Sequence, residues 1–112
     1  MIANKSIHTD LTKNLLCPII LQILKDRPNH GYDILLTIQK NFGVRFAASS
    51  IYPLLSKLEK DHWLKSSWVM TKNRPQRVYQ LTSKGEAVLE CSLDSLQSFC
   101  KNFNKRLKDD KV

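Results

Sequence analysis

The chain has 112 residues, 42% hydrophobic and 25% charged, which is enough for one globular domain with its own core and too little for two. Its longest apolar run, Leu15 to Leu21, is interrupted by Pro18 and falls far short of the roughly 20 residues a bilayer span needs, which excludes a transmembrane helix. Cys17, Cys91 and Cys100 form no C-x-x-C pair, so neither a disulfide framework nor a zinc knuckle is expected. With no signal-type stretch at the start, a cytoplasmic location is the expectation.

The net charge is +8 and the isoelectric point is near 9.6. The excess sits in the middle of the chain. Between residues 40 and 82, Lys40, Arg45, Lys57, Lys60, Lys65, Lys72, Arg74 and Arg77 face only Glu59 and Asp61. Such clustering suits a surface that neutralises phosphates, and it equally suits a basic face that keeps a protein in solution.

In chain order, residues 1–14 read as an arm or short helix. The apolar positions 11, 15, 16, 19, 20, 23 and 24 have helical spacing, but Pro18 breaks an interior hydrogen bond, so a helix is expected from about Pro18 to Lys25. Asp26-Arg27-Pro28-Asn29 is a turn. Asn29 is a candidate N-cap for a second helix through Lys40, stopped by Asn41-Phe42-Gly43.

A third helix is expected from Ser49 or Ser50, with Pro53 in or just past its first turn. At 100° per residue, Ile51, Leu54, Leu55 and Leu58 form one stripe. The opposite face carries Ser49, Pro53, Ser56 and Lys60, flanked by Tyr52 and Lys57. That small, hydroxylated and basic face suits a helix in a DNA major groove, and it also suits any solvated helix face.

The period then changes. Trp63–Met70 and Arg77–Leu81 read as two strands joined by a six-residue polar tip, Thr71 to Gln76, in which Asn73 can adopt a left-handed conformation. Thr82 is a natural N-cap for a long last helix. Three helices followed by a basic hairpin are the order of a winged helix-turn-helix. The expected fold is mainly α with a small β-hairpin, with residues 1–82 forming the winged domain and 83–112 a C-terminal dimerisation helix whose end, from Lys108, frays.

On that helix Leu89, Leu93, Leu96, Cys100, Phe103 and Leu107 repeat at alternating spacings of 4 and 3, widened by Val88 and Phe99. Such a heptad seam fits either packing on its own domain or a partner helix. A helix of about 25 residues would extend roughly 37 Å and overhang so small a domain, which favours a homodimer.

These segments resemble the PadR family of transcriptional regulators. Asn29-His30-Gly31-Tyr32-Asp33-Ile34 is similar to its "hGYeI" signature, and Ser50 to Glu59 to its "tLYplLkrLe" recognition helix. Asn73 to Gly85 is similar to its "GRPrkyYrLTekG" wing and final-helix start. The resemblance implies a homodimeric winged-helix DNA-binding protein of the small-tailed branch, usually a repressor. Family members often sense a small aromatic or hydrophobic effector near the dimer interface, for which Trp63, Trp68, Phe99 and Phe103 are candidates, although aromatics at helical and strand spacing are more often core. Four departures stand out: Asn73 at the usual wing-tip glycine, Ala47 at a frequent serine, Ser49 at a common glycine, and His62 or Trp63 at the glycine after the recognition helix.

The residues assigned to DNA follow from these faces. Ser49, Ser50, Ser56 and Lys57 would meet base edges, and Tyr52 a phosphate, with Lys60 further along. Lys72, Asn73, Arg74 and Arg77 would meet the backbone or minor groove, as the helix pair reads an inverted repeat. Tyr32 has two readings, packing under the recognition helix or touching DNA. Cys100 on the seam is either an inert thiol or a switch. An enzyme is not expected, since His8, His30 and His62 show no catalytic or metal spacing and no Gly-rich phosphate loop is present; no cofactor is expected either. The alternative function is a winged-helix adaptor that binds proteins without reading DNA.

Overall fold

A computed structural model describes residues 5–110, with side chains to residue 108. Helices α1 (Lys5–Asn14), α2 (Leu16–Asp26), α3 (Gly31–Phe42), α4 (Ala48–Lys60) and α5 (Ser83–Asp110) surround a three-stranded antiparallel sheet. Its strands are β1 (Asn29–His30), β2 (Leu64–Thr71) and β3 (Arg74–Leu81), in spatial order β1-β3-β2. The first residues of the arm and the last two of the frayed end lie outside the described residues. Within them, α5 continues helically to Asp110.

Pro18 lies within α2 rather than opening it. It occupies the third position, where a first-turn residue has no intrahelical donor to lose. Leu15 joins α1 to α2, its N–H shared between the carbonyls of Leu11 and Thr12 at 3.1 Å each. Helix α2 is apolar nearly all round because it is central: Leu16, Ile20, Leu21 and Leu24 are buried against α3, α5 and β3. The core closes with Ile34 and Ile38 of α3, Ile51, Leu55 and Leu58 of α4, Leu64, Tyr79 and Leu89.

Asn29 is not a helix cap. It pairs with Tyr79, and His30 with Val78, as the short third strand. Helix α3 therefore begins at Gly31, with the imidazole of His30 3.1 Å from the Asp33 carboxylate. Pairing with β3 holds Asn29 extended one residue ahead of the cap position, which His30 occupies without a side-chain cap bond. At the other end, Gly43 takes φ 70° and returns its N–H to the Gln39 carbonyl at 2.9 Å.

The hairpin tip is a two-residue turn, not a six-residue loop. Thr71 pairs with Arg74, leaving Lys72 and Asn73 as the turn, both left-handed at φ 49° and 63°. Two consecutive left-handed residues make the type I′ turn, whose twist matches that of the strands it joins. Pro75 is therefore inside β3, opposite Met70. One place beyond the turn-flanking pair, an antiparallel ladder directs its missing N–H away from β2, toward an edge that β1 covers only at Val78 and Tyr79.

Helix α4 ends in a Schellman motif. The N–H of Trp63 reaches the Leu58 carbonyl and that of His62 the Glu59 carbonyl, each at 3.0 Å, with His62 left-handed at φ 65°. This places the glycine position of the resemblance at His62. Thr82 caps α5 as expected: its Oγ1 accepts the Gly85 N–H at 3.0 Å and donates to the His62 carbonyl at 2.6 Å. A Cβ on Gly85 would lie 2.1 Å from the Trp63 carbonyl oxygen, so only glycine lets α5 start this close to the end of α4.

Candidate nucleic-acid interface

Helix α4 buries Ile51, Leu55 and Leu58, and Leu54 is half-buried. The whole apolar stripe is used by the domain itself. Ser49, Ser50, Tyr52, Pro53, Ser56, Lys57 and Lys60 are all exposed. Pro53 is the sixth residue of the helix and deprives the Ser49 carbonyl of its donor, but on the solvent side, where water can serve it.

Tyr52 is fixed by Gly31 of α3. A Cβ at Gly31 would lie 2.6–2.7 Å from the Cε1, Cζ and Oη atoms of the Tyr52 ring. Gly31 thus lies against α4 at Tyr52, while Tyr32 beside it is 62% exposed, which removes the reading in which Tyr32 packs beneath α4. Instead it lines a cleft of ≈ 460 Å³ with Leu36, Arg45 and Ala48 at the start of α4. Arg45, part of the basic excess, lies in coil, where no periodicity assigns it a face.

At the wing, Lys72, Asn73 and Arg74 are exposed at the turn. Arg77 is placed differently. Its Nη2 lies 3.1 Å from Glu59 Oε1, its Nε donates to Ser66 Oγ at 2.8 Å, and that hydroxyl donates to Glu59 Oε2 at 2.5 Å. The guanidinium also lies 5.7 Å from the Trp68 ring centre and 5.9 Å from that of Tyr79. Arg77 is therefore a brace between wing and α4 rather than a free cation, and its charge is met by Glu59. Burial pushes the Tyr79 phenol up, against the pull of Arg77. Cys17 on α2 is also pushed up by burial, with Lys57 opposing.

The seam on α5 divides. Leu89 is fully buried in the domain core and is not part of an exposed surface. Leu93, Phe99, Cys100, Phe103 and Leu107 are exposed and Leu96 is half-buried. From Gln97 to Lys108 every residue is exposed, consistent with a molecule 64 Å in its longest dimension. A groove of ≈ 580 Å³ runs along the base of this projection, lined by Leu11, Leu15, Ile19, Phe42, Leu93 and Leu96. The aromatics named for an effector do not converge within one chain: Trp63 packs at the end of α4, Trp68 stands on the wing, and Phe99 and Phe103 lie on the projection. Among the described residues no cluster of His, Cys, Asp or Glu could hold a metal ion, and no helix is long and apolar enough to cross a membrane.

A helix with its apolar side spent on the core and its hydroxylated, basic side open, beside a two-stranded ribbon tipped with cations, is the architecture of a winged helix-turn-helix. The chain belongs to the PadR-like family of transcriptional regulators, whose family model matches residues 20–91. Solved structures agree. A PadR family transcriptional regulator from Eggerthella lenta DSM 2243 is 26% identical with a TM-score of 0.81, covering 91% of this chain and 89% of its own. The protein smu.1704 from Streptococcus mutans UA159 is 27% identical with a TM-score of 0.77, covering 86% and 89%. A PadR-like transcriptional regulator from Bacillus cereus, BC4206, shares the fold at 24% identity and a TM-score of 0.79, covering 88% and 96%. Among curated proteins none matches the chain.

Proposed function

We propose that this regulator binds an inverted repeat in double-stranded DNA as a homodimer and represses by occupying that site. The observation that carries the reading is the open face of α4: Ser49, Ser50, Ser56, Lys57 and Lys60 are all exposed while the helix's apolar stripe is wholly consumed by the core. In this reading α4 enters the major groove. Ser49, Ser50, Ser56 and Lys57 meet base edges, and Tyr52 and Lys60 meet the backbone. Lys72, Asn73 and Arg74 hold the adjacent phosphates or the minor groove, while Arg77 fixes the wing.

The second copy supplies what one chain lacks. Leu93, Phe99, Phe103 and Leu107 on α5 and Leu11 on α1 are large, apolar and exposed, and of these Leu11 and Leu93 line the groove at the base of α5. A partner α5 laid along that groove and seam covers them all.

Sedimentation of the pure protein, alone and with mixed-sequence duplex at two salt concentrations, tests both parts. A dimer that binds duplex and releases it as salt rises is expected. A monomer indifferent to DNA refutes the reading. Lys57→Glu and Arg74→Glu separate it from the adaptor alternative, since only a DNA reader loses duplex binding through these changes.

A further inference from the structure

The wing carries a surface that its cations do not explain. Directly opposed residues of an antiparallel pair project to the same face. Ser66 with Tyr79, Trp68 with Arg77 and Met70 with Pro75 therefore share one face of the hairpin. Glu59 of α4 bonds to both Ser66 and Arg77, so this face is turned toward the recognition helix. Its lower part is core, with Tyr79 buried. Its upper part is open: Trp68 is 68% exposed and Met70 71%.

The indole is held rather than loose. Arg77 lies against its ring at 5.7 Å and is itself anchored by Ser66 and Glu59. Because Glu59 already meets the charge of Arg77, the strip is apolar and electrically quiet. Lys72 and Arg74 at the turn lie beyond its outer end, and Lys57 and Lys60 are exposed on α4, the helix toward which this face is turned. A duplex strand presents the complementary sequence of surfaces. Phosphates alternate with deoxyribose, and the sugars wall the minor groove next to the major groove that α4 would occupy.

We infer that Trp68 and Met70 form an apolar contact with the deoxyribose wall of the DNA minor groove, with Arg77 as the residue that positions the indole. The inference rests on the DNA-binding reading above and adds to it a contact independent of phosphate charge. Apolar side chains at the minor groove respond to its width and to the ease of opening a base step. The wing would then discriminate between flanking sequences as well as add affinity.

The test uses the full chain and mixed-sequence duplex DNA. Since the chain has two tryptophans, a Trp63→Phe variant leaves Trp68 as the only indole, and its fluorescence is followed during titration. Trp68→Ala, Trp68→Phe and Arg74→Ala are compared for affinity over a range of salt. The expected results are a change in Trp68 emission on binding, and a loss of about 5- to 30-fold in Trp68→Ala, the scale of burying part of an indole, with the salt slope unchanged. Trp68→Phe should recover most of that loss, and Arg74→Ala should flatten the slope by about one unit. Trp68→Ala binding duplex as tightly as the parent overturns the inference while leaving DNA binding intact. Failure of the parent to bind duplex overturns both. A Trp68→Ala change in sedimentation of the free protein, with DNA affinity unaltered, makes the strip a protein contact and also overturns it.

Discussion

Glu59 on α4 and Arg77 on the wing are joined at 3.1 Å, so helix and wing are braced to each other. The pair is partly exposed, and its direct contribution to stability is small, about 0.5–1 kcal/mol. Its larger effect is geometric. Arg77→Ala should lower the melting temperature by only a few degrees and weaken duplex binding without the reduced salt slope expected of Arg74→Ala. Arg77→Lys should not restore the parent, because an ammonium cannot span Ser66 and Glu59 as the planar fork does. Melting curves and salt-dependent binding isotherms check both.

His62 holds the left-handed position that ends α4. A non-glycine residue there costs about 1–2 kcal/mol, against which glycine's extra freedom in the unfolded chain counts about 0.5–1 kcal/mol. His62→Gly should therefore stabilise the protein by up to about 1.5 kcal/mol, and β-branched His62→Val should destabilise it. Urea unfolding of the two variants beside the parent decides the matter; equal midpoints would show that the motif is relaxed in the variants.

Two seam residues should behave in opposite ways. Leu89→Ala removes a fully buried side chain and should cost about 2–5 kcal/mol of stability. Phe103→Asp changes a side chain that is 66% exposed, so unfolding at low protein concentration should be nearly unchanged while self-association is lost. Unfolding curves combined with sedimentation separate the two effects.

Alkaline solution should weaken the fold. The Cys17 and Tyr79 groups are both raised above their ordinary values of 9.0 and 10.0, chiefly by burial. As pH rises past those values the unfolded chain ionises first and binds fewer protons than the folded one. Stability is then complete below about pH 9 and falls above it. Melting temperatures from pH 7 to 10.5 should show this decline, with a later onset in Cys17→Ala. A flat profile would contradict it.

The sequence was most legible where a short period is dictated by burial. Ile51, Leu55 and Leu58 recur at helical spacing because one side of α4 meets the core, and that stripe also identified the opposite face. Legibility ended where geometry depends on residues far apart in the chain. Asn29 reads as a cap until Tyr79, fifty positions on, claims its backbone. Arg77 reads as a free cation until Glu59, 18 positions earlier, is brought beside it. Lys72 gives no sign of its left-handed turn, since lysine seldom adopts it, and Asn73 alone suggested a longer loop. A heptad spacing also cannot say whose surface it fits: Leu89 continues the same repeat as Leu93, but one faces its own domain.

The packing of α5 gives its outer part the mechanics of a lever. Its first half is anchored by the Thr82 cap, by Gly85 seated on the Trp63 carbonyl and by Leu89 in the core, so the pivot lies where the helix leaves the domain, near Leu96. The projecting residues 97–110 are about 21 Å long, and each degree of tilt at the pivot sweeps the far end by about 0.4 Å. In the proposed two-fold dimer, the gap between the two α4 helices would be set by how these arms cross.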